Sequence, residues 1–140
     1  MRILDSIKEM LDNKSSVQMV ADDPQMTSEI LLLVRMMFAD GELSGEELAL
    51  FKKICKSVFD IPEEDVPEVI SFLKDFGYET SGEQAAETFI DMPDDRKRTL
   101  MRHLIAMARA DKSLHESEVT LIARVARVLG YTPEQVREGM

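Results

Sequence analysis

The sequence predicts an all-α fold: a single helical bundle of seven to eight helices, built from two similar three-helix units related by a pseudo-two-fold axis. Three observations carry this reading. Apolar residues recur at helical spacing along most of the chain. Glycine and proline are few, six and five, and fall at segment ends. One helix–corner–helix pattern is also written twice, 71 positions apart, first as MMFADGELSGEE (36–47) and then as MARADKSLHESE (107–118).

The chain of 140 residues is 44% hydrophobic, enough for one domain over 1–140 with a core of its own. The first segment, MRILDSIKEMLDNK, sets Ile3, Leu4, Ile7, Met10 and Leu11 on one face of an amphipathic helix. Its polar face carries both signs of charge, which favours a helix capping the core over one lying on a membrane. Asp5, Lys8 and Glu9 interrupt the apolar run, so the segment is not a secretory signal core. Residues 13–23 are polar and read as a flexible loop. Asp23-Pro24 then supplies an N-cap and an N1 proline to a long helix reaching Ala39, with Gly41 just beyond its end. Ser44 to Glu47 form a capping box that opens the next helix, which runs to Val58.

Pro62 opens a short helix, Pro67 interrupts or restarts it, and Gly77 ends the segment. A helix over 81–90 precedes Met92-Pro93-Asp94-Asp95, which starts a long helix reaching Ala110. Residues 115–129 form its partner, Gly130 ends that partner, and Thr132 to Gln135 make a second capping box. Shifting residues 30–65 onto 101–136 needs no gap. Leu33, Met36, Ala39, Asp40, Leu43, Glu47, Leu50, Pro62 and Glu63 meet identical residues at Leu104, Met107, Ala110, Asp111, Leu114, Glu118, Leu121, Pro133 and Glu134. These identities fall at helix ends, corners and core positions.

The corner carries the chemistry. Leu43 and Leu114 would plug the core, and Glu47 and Glu118 stand at N3, where a carboxylate reaches the N-cap backbone and meets the positive end of the helix dipole. In the second copy His115 replaces the capping serine and weakens that box. Asp40 and Asp111 sit where a helix ends, the place least favourable to negative charge. They either brace the corner by accepting backbone N–H groups of the next helix, or hold a divalent cation. A cation site would use Asp40, Glu42 and Glu47, with carbonyls and water completing the shell. Oxygen donors of this kind suit calcium, magnesium or manganese. The stretch is not an EF-hand, because Phe51 stands where the twelfth loop position needs a bidentate glutamate. The second corner, with Asp111 and Glu118, has Lys112 and Ser113 in place of Gly41 and Glu42 and is the weaker candidate.

The two corners and their flanking helices, LLLVRMMFADGELSGEE and LIAMARADKSLHESEVTLIARVARVLG, resemble the TerB-like family of tellurite-resistance-associated proteins. The resemblance covers residues 1–136 and rests on an A-D-G-E-L/I corner that recurs in the family. The first corner, Ala39 to Leu43, matches in full, whereas the second keeps Ala110, Asp111 and Leu114. The resemblance implies an all-helical bundle with two similar halves, an acidic metal-binding surface, and a link to tellurite and other stress responses. It also implies partners among membrane-associated and calcium-binding stress proteins. A related domain fronts some membrane-bound DnaJ-type co-chaperones. That role does not carry over, since the chain has no His-Pro-Asp triplet and no transmembrane segment.

Composition narrows the function further. A net charge of −10 argues against a nucleic-acid partner, and a lone cysteine, Cys55, allows neither an intramolecular disulfide nor a thiolate cluster and fits the cytoplasm. Residues 60–95 hold twelve acids against Lys74, and residues 96–127 hold eight bases against three acids. Solvated faces account for such runs, with head-to-tail association into a homodimer or the orientation of a charged partner as the alternative. His103, Cys55, Met36, Met37, Met101 and Met107 fall at core spacing, and His115 is a surrogate ligand candidate beside Asp111. No phosphate loop, His-Glu-x-x-His or serine elbow occurs, so the chain is read as not an enzyme and as having no catalytic or cofactor-binding residues. The function predicted is an acidic helical stress module that binds a divalent cation and docks onto proteins. The alternative is an interaction module without metal, in which the repeated aspartates brace corners. A metal-dependent hydrolase is the distant third reading.

Overall fold

Hydrophobic period becomes helix throughout. The computed structural model describes residues 15–39, 45–77, 81–110 and 115–138, and these form eight α-helices and one 3₁₀ turn, with no strand among the described residues. In order they are α1 (Ser16–Asp22), α2 (Pro24–Met37), α3 (Gly45–Phe59), the 3₁₀ turn (Glu63–Asp65), α4 (Val66–Gly77), α5 (Gly82–Glu87), α6 (Asp94–Arg109), α7 (Glu116–Leu129) and α8 (Pro133–Arg137). The leader helix expected at the N-terminus and both acidic corners, 40–44 and 111–114, lie outside the described residues.

The helix starts follow the capping chemistry. Asp23 accepts from the backbone N–H groups of Gln25 and Met26 at 3.1 and 3.2 Å, with Pro24 at N1. Ser81 and Gln84 close a reciprocal capping box at α5, and Thr132 and Gln135 close another at α8. His115 makes no side-chain cap bond at α7, as the loss of serine there predicts. Gly130 ends α7 at φ +85°, and Asp60, at φ +57°, does the same after α3.

Two boundaries differ from expectation. Residues 13–23, read as a loop, contain α1. Ser15 caps that helix by accepting from Gln18 N–H at 3.1 Å, and Val20 is fully buried against the core. The polar composition hid a short helix that tertiary burial of one face sustains. The helix expected over 81–90 stops at Glu87. Residues 88–91 turn instead, the Thr88 hydroxyl donating to the Ala85 carbonyl at 2.8 Å.

Helix α2 is the axis of the bundle, packed by α1, α3, α4, α5 and α6. Its residues from Thr27 to Val34, with Met36 and Met37, are all buried, so it is apolar nearly all round as a central helix must be. The core also takes Phe51, Cys55, Ile61, Val66, Val69 and Leu73 from the first half, and Leu100, Met101, Leu104, Met107 and Val125 from the second. Helix α5 wedges between α2 and α7, and a Cβ on Gly82 would meet Leu121 Cδ1 at 2.9 Å. The 71-residue shift carries the start of α3, Gly45, onto the start of α7, Glu116. It also pairs buried Leu33, Met36, Phe51 and Ile54 with buried Leu104, Met107, Ile122 and Val125.

Candidate functional site

Of the sequence-predicted cation ligands, Glu47 and Glu118 are described, and Asp40, Glu42 and Asp111 lie outside the described residues. Glu47 stands in the first turn of α3 and Glu118 in the first turn of α7. They are 1% and 0% exposed, the same placement in both copies of the repeat. A glutamate on an exposed first turn ordinarily lies in solvent. Both carboxylates are therefore withdrawn from water, where an ionised group needs compensation for its lost hydration. Among the described residues no group of three or more histidine, cysteine, aspartate or glutamate side chains gathers to hold a metal ion.

The polar centre that sequence reading missed lies in the core. Glu29, fully buried on α2, takes a bidentate pair from Arg96 of α6, with Nη1 to Oε1 at 3.2 Å and Nη2 to Oε2 at 2.5 Å. His103 Nδ1, two turns further along α6, lies 3.3 Å from Oε1. Burial pushes the Glu29 carboxyl up, but hydrogen bonds from His103 and Arg96, together with the guanidinium charge, outweigh it and hold the group below its ordinary value. Arg96 is 30% exposed and leans over the Phe89 ring at 5.6 Å. The triad therefore clamps α2 to α6 with an ionised carboxylate. The only signal for it in the sequence is a single acid in the apolar run TSEILLLVRMM. His103 is placed structurally, as its helix position predicts.

Cys55 is fully buried on α3 and burial pushes its thiol up to about 12, so it is an inert core residue. Met36, Met37, Met101 and Met107 are fully buried too and fill the core. A second polar network ties the start of α6 to the turn after α7. There Asp94 accepts from Arg98 Nε at 2.6 Å and from the Tyr131 hydroxyl at 2.8 Å, and burial with the Asp94 contact raises the Tyr131 phenol to about 12.

The outer face of the second half opens into a groove of 740 Å³ between α6, α7 and α8. Its floor is made by buried Ile105, Ala108, Ile122 and Ala126, and Val119 lines it while 45% exposed. Arg109, Arg127 and Arg137 stand around it, one from each helix. Among the described residues no helix is long and apolar enough to cross a membrane.

No curated protein and no solved structure matches this chain. The family described as tellurite resistance protein TerB matches residues 27–139, from the first turn of α2 past the end of α8 and through both corners. With helices across the described part of that span, the chain belongs to the TerB family of tellurite-resistance-associated proteins.

Proposed function

We propose that this TerB-family module binds one divalent cation at its first acidic corner and docks onto partner proteins, without catalysis of its own. Asp40, Glu42 and Glu47 would hold the cation, and the all-oxygen donor set fits calcium, magnesium or manganese. The observation that supports the reading is the burial of Glu47 in the first turn of α3. A cation there would neutralise the carboxylates and the negative end of the preceding helix dipole together. Asp111 and Glu118 repeat the arrangement, but Lys112 sets an ammonium beside them, so one site per chain is expected. Calorimetric titration of the metal-free protein with calcium, magnesium and manganese tests this. Saturable heat at about one ion per chain is the expected result; no heat and no thermal stabilisation at millimolar cation would overturn it.

The second reading is an interaction module whose aspartates only brace the corners. It is favoured by the open groove on α6, α7 and α8, which offers a docking face that needs no metal. The expected partners remain stress proteins that are membrane-associated or calcium-binding, with the cytoplasm as the compartment that suits a lone buried thiol.

A further inference from the structure

The groove between α6, α7 and α8 has the size of a ligand site, an apolar floor and a basic rim. Its 740 Å³ falls within the roughly 300–1,000 Å³ of cavities that enclose small molecules. Ile105, Ala108, Ile122 and Ala126 make the floor, and Val119 and Val136 line the walls. Val119 is 45% exposed there, apolar surface that an apolar occupant would remove from water.

Charge selects the head group of that occupant. Arg109, Arg127 and Arg137, all exposed, reach the groove from three helices, and none of the described residues lining it is acidic, although the chain carries −10. None of the three is ion-paired with a described residue. Tyr131 also lines the groove, but its hydroxyl already donates to Asp94 at 2.8 Å. Guanidinium groups are what is left to recognise a head, and their forked N–H donors match a carboxylate. The opening on α3 is built differently. It is smaller, 360 Å³, lined by Lys52, Lys53 and Lys56, and it includes a carboxylate of its own, Glu63, which meets Lys52 at 3.3 Å.

We propose that the groove of α6, α7 and α8 binds a free long-chain monocarboxylate, with its chain on the apolar floor and its carboxylate on one of the three arginines. One guanidinium suffices for the head, and the other two raise the positive potential over the opening. From Val119 to Arg127 the α7 wall runs about 12 Å at 1.5 Å per residue, which sets the length of chain the floor covers. The first segment of the protein itself is a poorer occupant on charge. At helical period Asp5, Glu9 and Asp12 fall opposite Ile3, Ile7 and Leu11, so seating its apolar face would turn its acids away from the arginines. The inference goes beyond the proposed function and needs neither the cation nor a protein partner.

The test is a methyl NMR titration of the full chain in excess chelator with octanoate, octanol and octyltrimethylammonium, one chain length with three head charges. Octanoate should bind saturably at about one per chain, shift the methyls of Ile105, Val119 and Ile122, and bind roughly tenfold tighter than octanol. Octyltrimethylammonium should be the weakest of the three. Decanoate should bind about tenfold tighter again or more, two methylenes at about fourfold each. The double variant Arg127→Glu, Arg137→Glu should weaken octanoate by roughly tenfold or more and leave octanol within about twofold, a split that a merely structural change would not give. Ala123→Phe, at an exposed position of the wall, should block both, with circular dichroism confirming that each variant is folded. No saturable octanoate binding, equal affinity for the three heads, shifts confined to Leu48 at the α3 opening, or octanoate affinity unchanged in the double variant overturns the proposal. So does a concentration-dependent dimer by light scattering that Ala123→Phe abolishes, which assigns the face to a second copy. Ile7→Asp, in the first segment, should leave octanoate affinity unchanged; a gain of about tenfold assigns the groove to that segment and also overturns it. Cation calorimetry is unaffected by any of these outcomes, so this inference and the proposed function fail separately.

Discussion

The two halves of the molecule share a register and differ in what lies over them. In the first half the axial helix α2 is enclosed on all sides, and α4 lies on it. In the second, α6 keeps a polar flank, and α7 faces a groove of 740 Å³. A repeated unit thus serves once as the inside of the bundle and once as its outside. The residues that decide which are few: Met37 and Phe51 against Ala108 and Ile122, and Phe38 and Val66 against Arg109 and Arg137. Between the two stretches related by the 71-residue shift, buried positions match while residues at the outer face differ.

The enclosed half should be far less tolerant of truncation than the open one. Leu73→Ala, in the helix that covers the first half, removes a fully buried side chain and should cost about 2–5 kcal/mol in urea denaturation. Val136→Ala, on the partly exposed wall of the groove, should cost under about 1 kcal/mol. Equal costs would break the comparison.

Next in size is the clamp between α2 and α6. Arg96→Met leaves Glu29 buried without its bidentate partner, and a loss of about 3 kcal/mol is expected. The Glu29 carboxyl is held below its usual value in the folded state. Its contribution is therefore complete above the unfolded value of 4.5 and is lost as pH falls through the lower folded value. Denaturation midpoints measured from pH 7 down to pH 3 should fall more steeply for the wild type than for Glu29→Gln. Parallel curves would remove Glu29 from the account.

The helix ends sharpen the contrast further. Gly130, at φ +85°, ends α7, so Gly130→Ala should cost about 1 kcal/mol. Asp60 holds the equivalent left-handed conformation after α3 with a side chain present, so Asp60→Gly should change stability by a few tenths of a kcal/mol. The smallest effect on stability, and the plainest readout of enclosure, comes from thiols. Cys55, with its thiol pushed up to about 12, should resist Ellman's reagent until the protein unfolds, whereas Ala123→Cys on the groove wall should react in the native state.

Much of this fold is written in local chemistry. The proline and capping signals at Asp23-Pro24, Ser81 and Thr132 set helix starts within a residue, because each acts on backbone N–H groups of its own turn. The sequence repeat is legible because its identities sit at core and corner positions. What escaped was non-local. Helix α1 is polar in sequence and is held by Val20 and by the Ser16 hydroxyl donating to Asp65 at 2.7 Å, a contact 49 positions away. The Glu29–Arg96 pair spans 67 positions and the groove needs three helices, so neither has a period or motif to betray it. At the corner, the sequence pointed to Glu47 and Glu118 as a matched pair, and both are buried at matched positions. Asp40, Glu42 and Asp111 lie outside the described residues.

The proposed cation site at the first corner, and its absence at the second, are open to one direct measurement. Calcium titration by calorimetry of the wild type, Asp40→Asn and Asp111→Asn provides it. The expected result is about one ion per chain, abolished in Asp40→Asn and largely retained in Asp111→Asn. Equal loss in both variants, or no binding in the wild type, would contradict it.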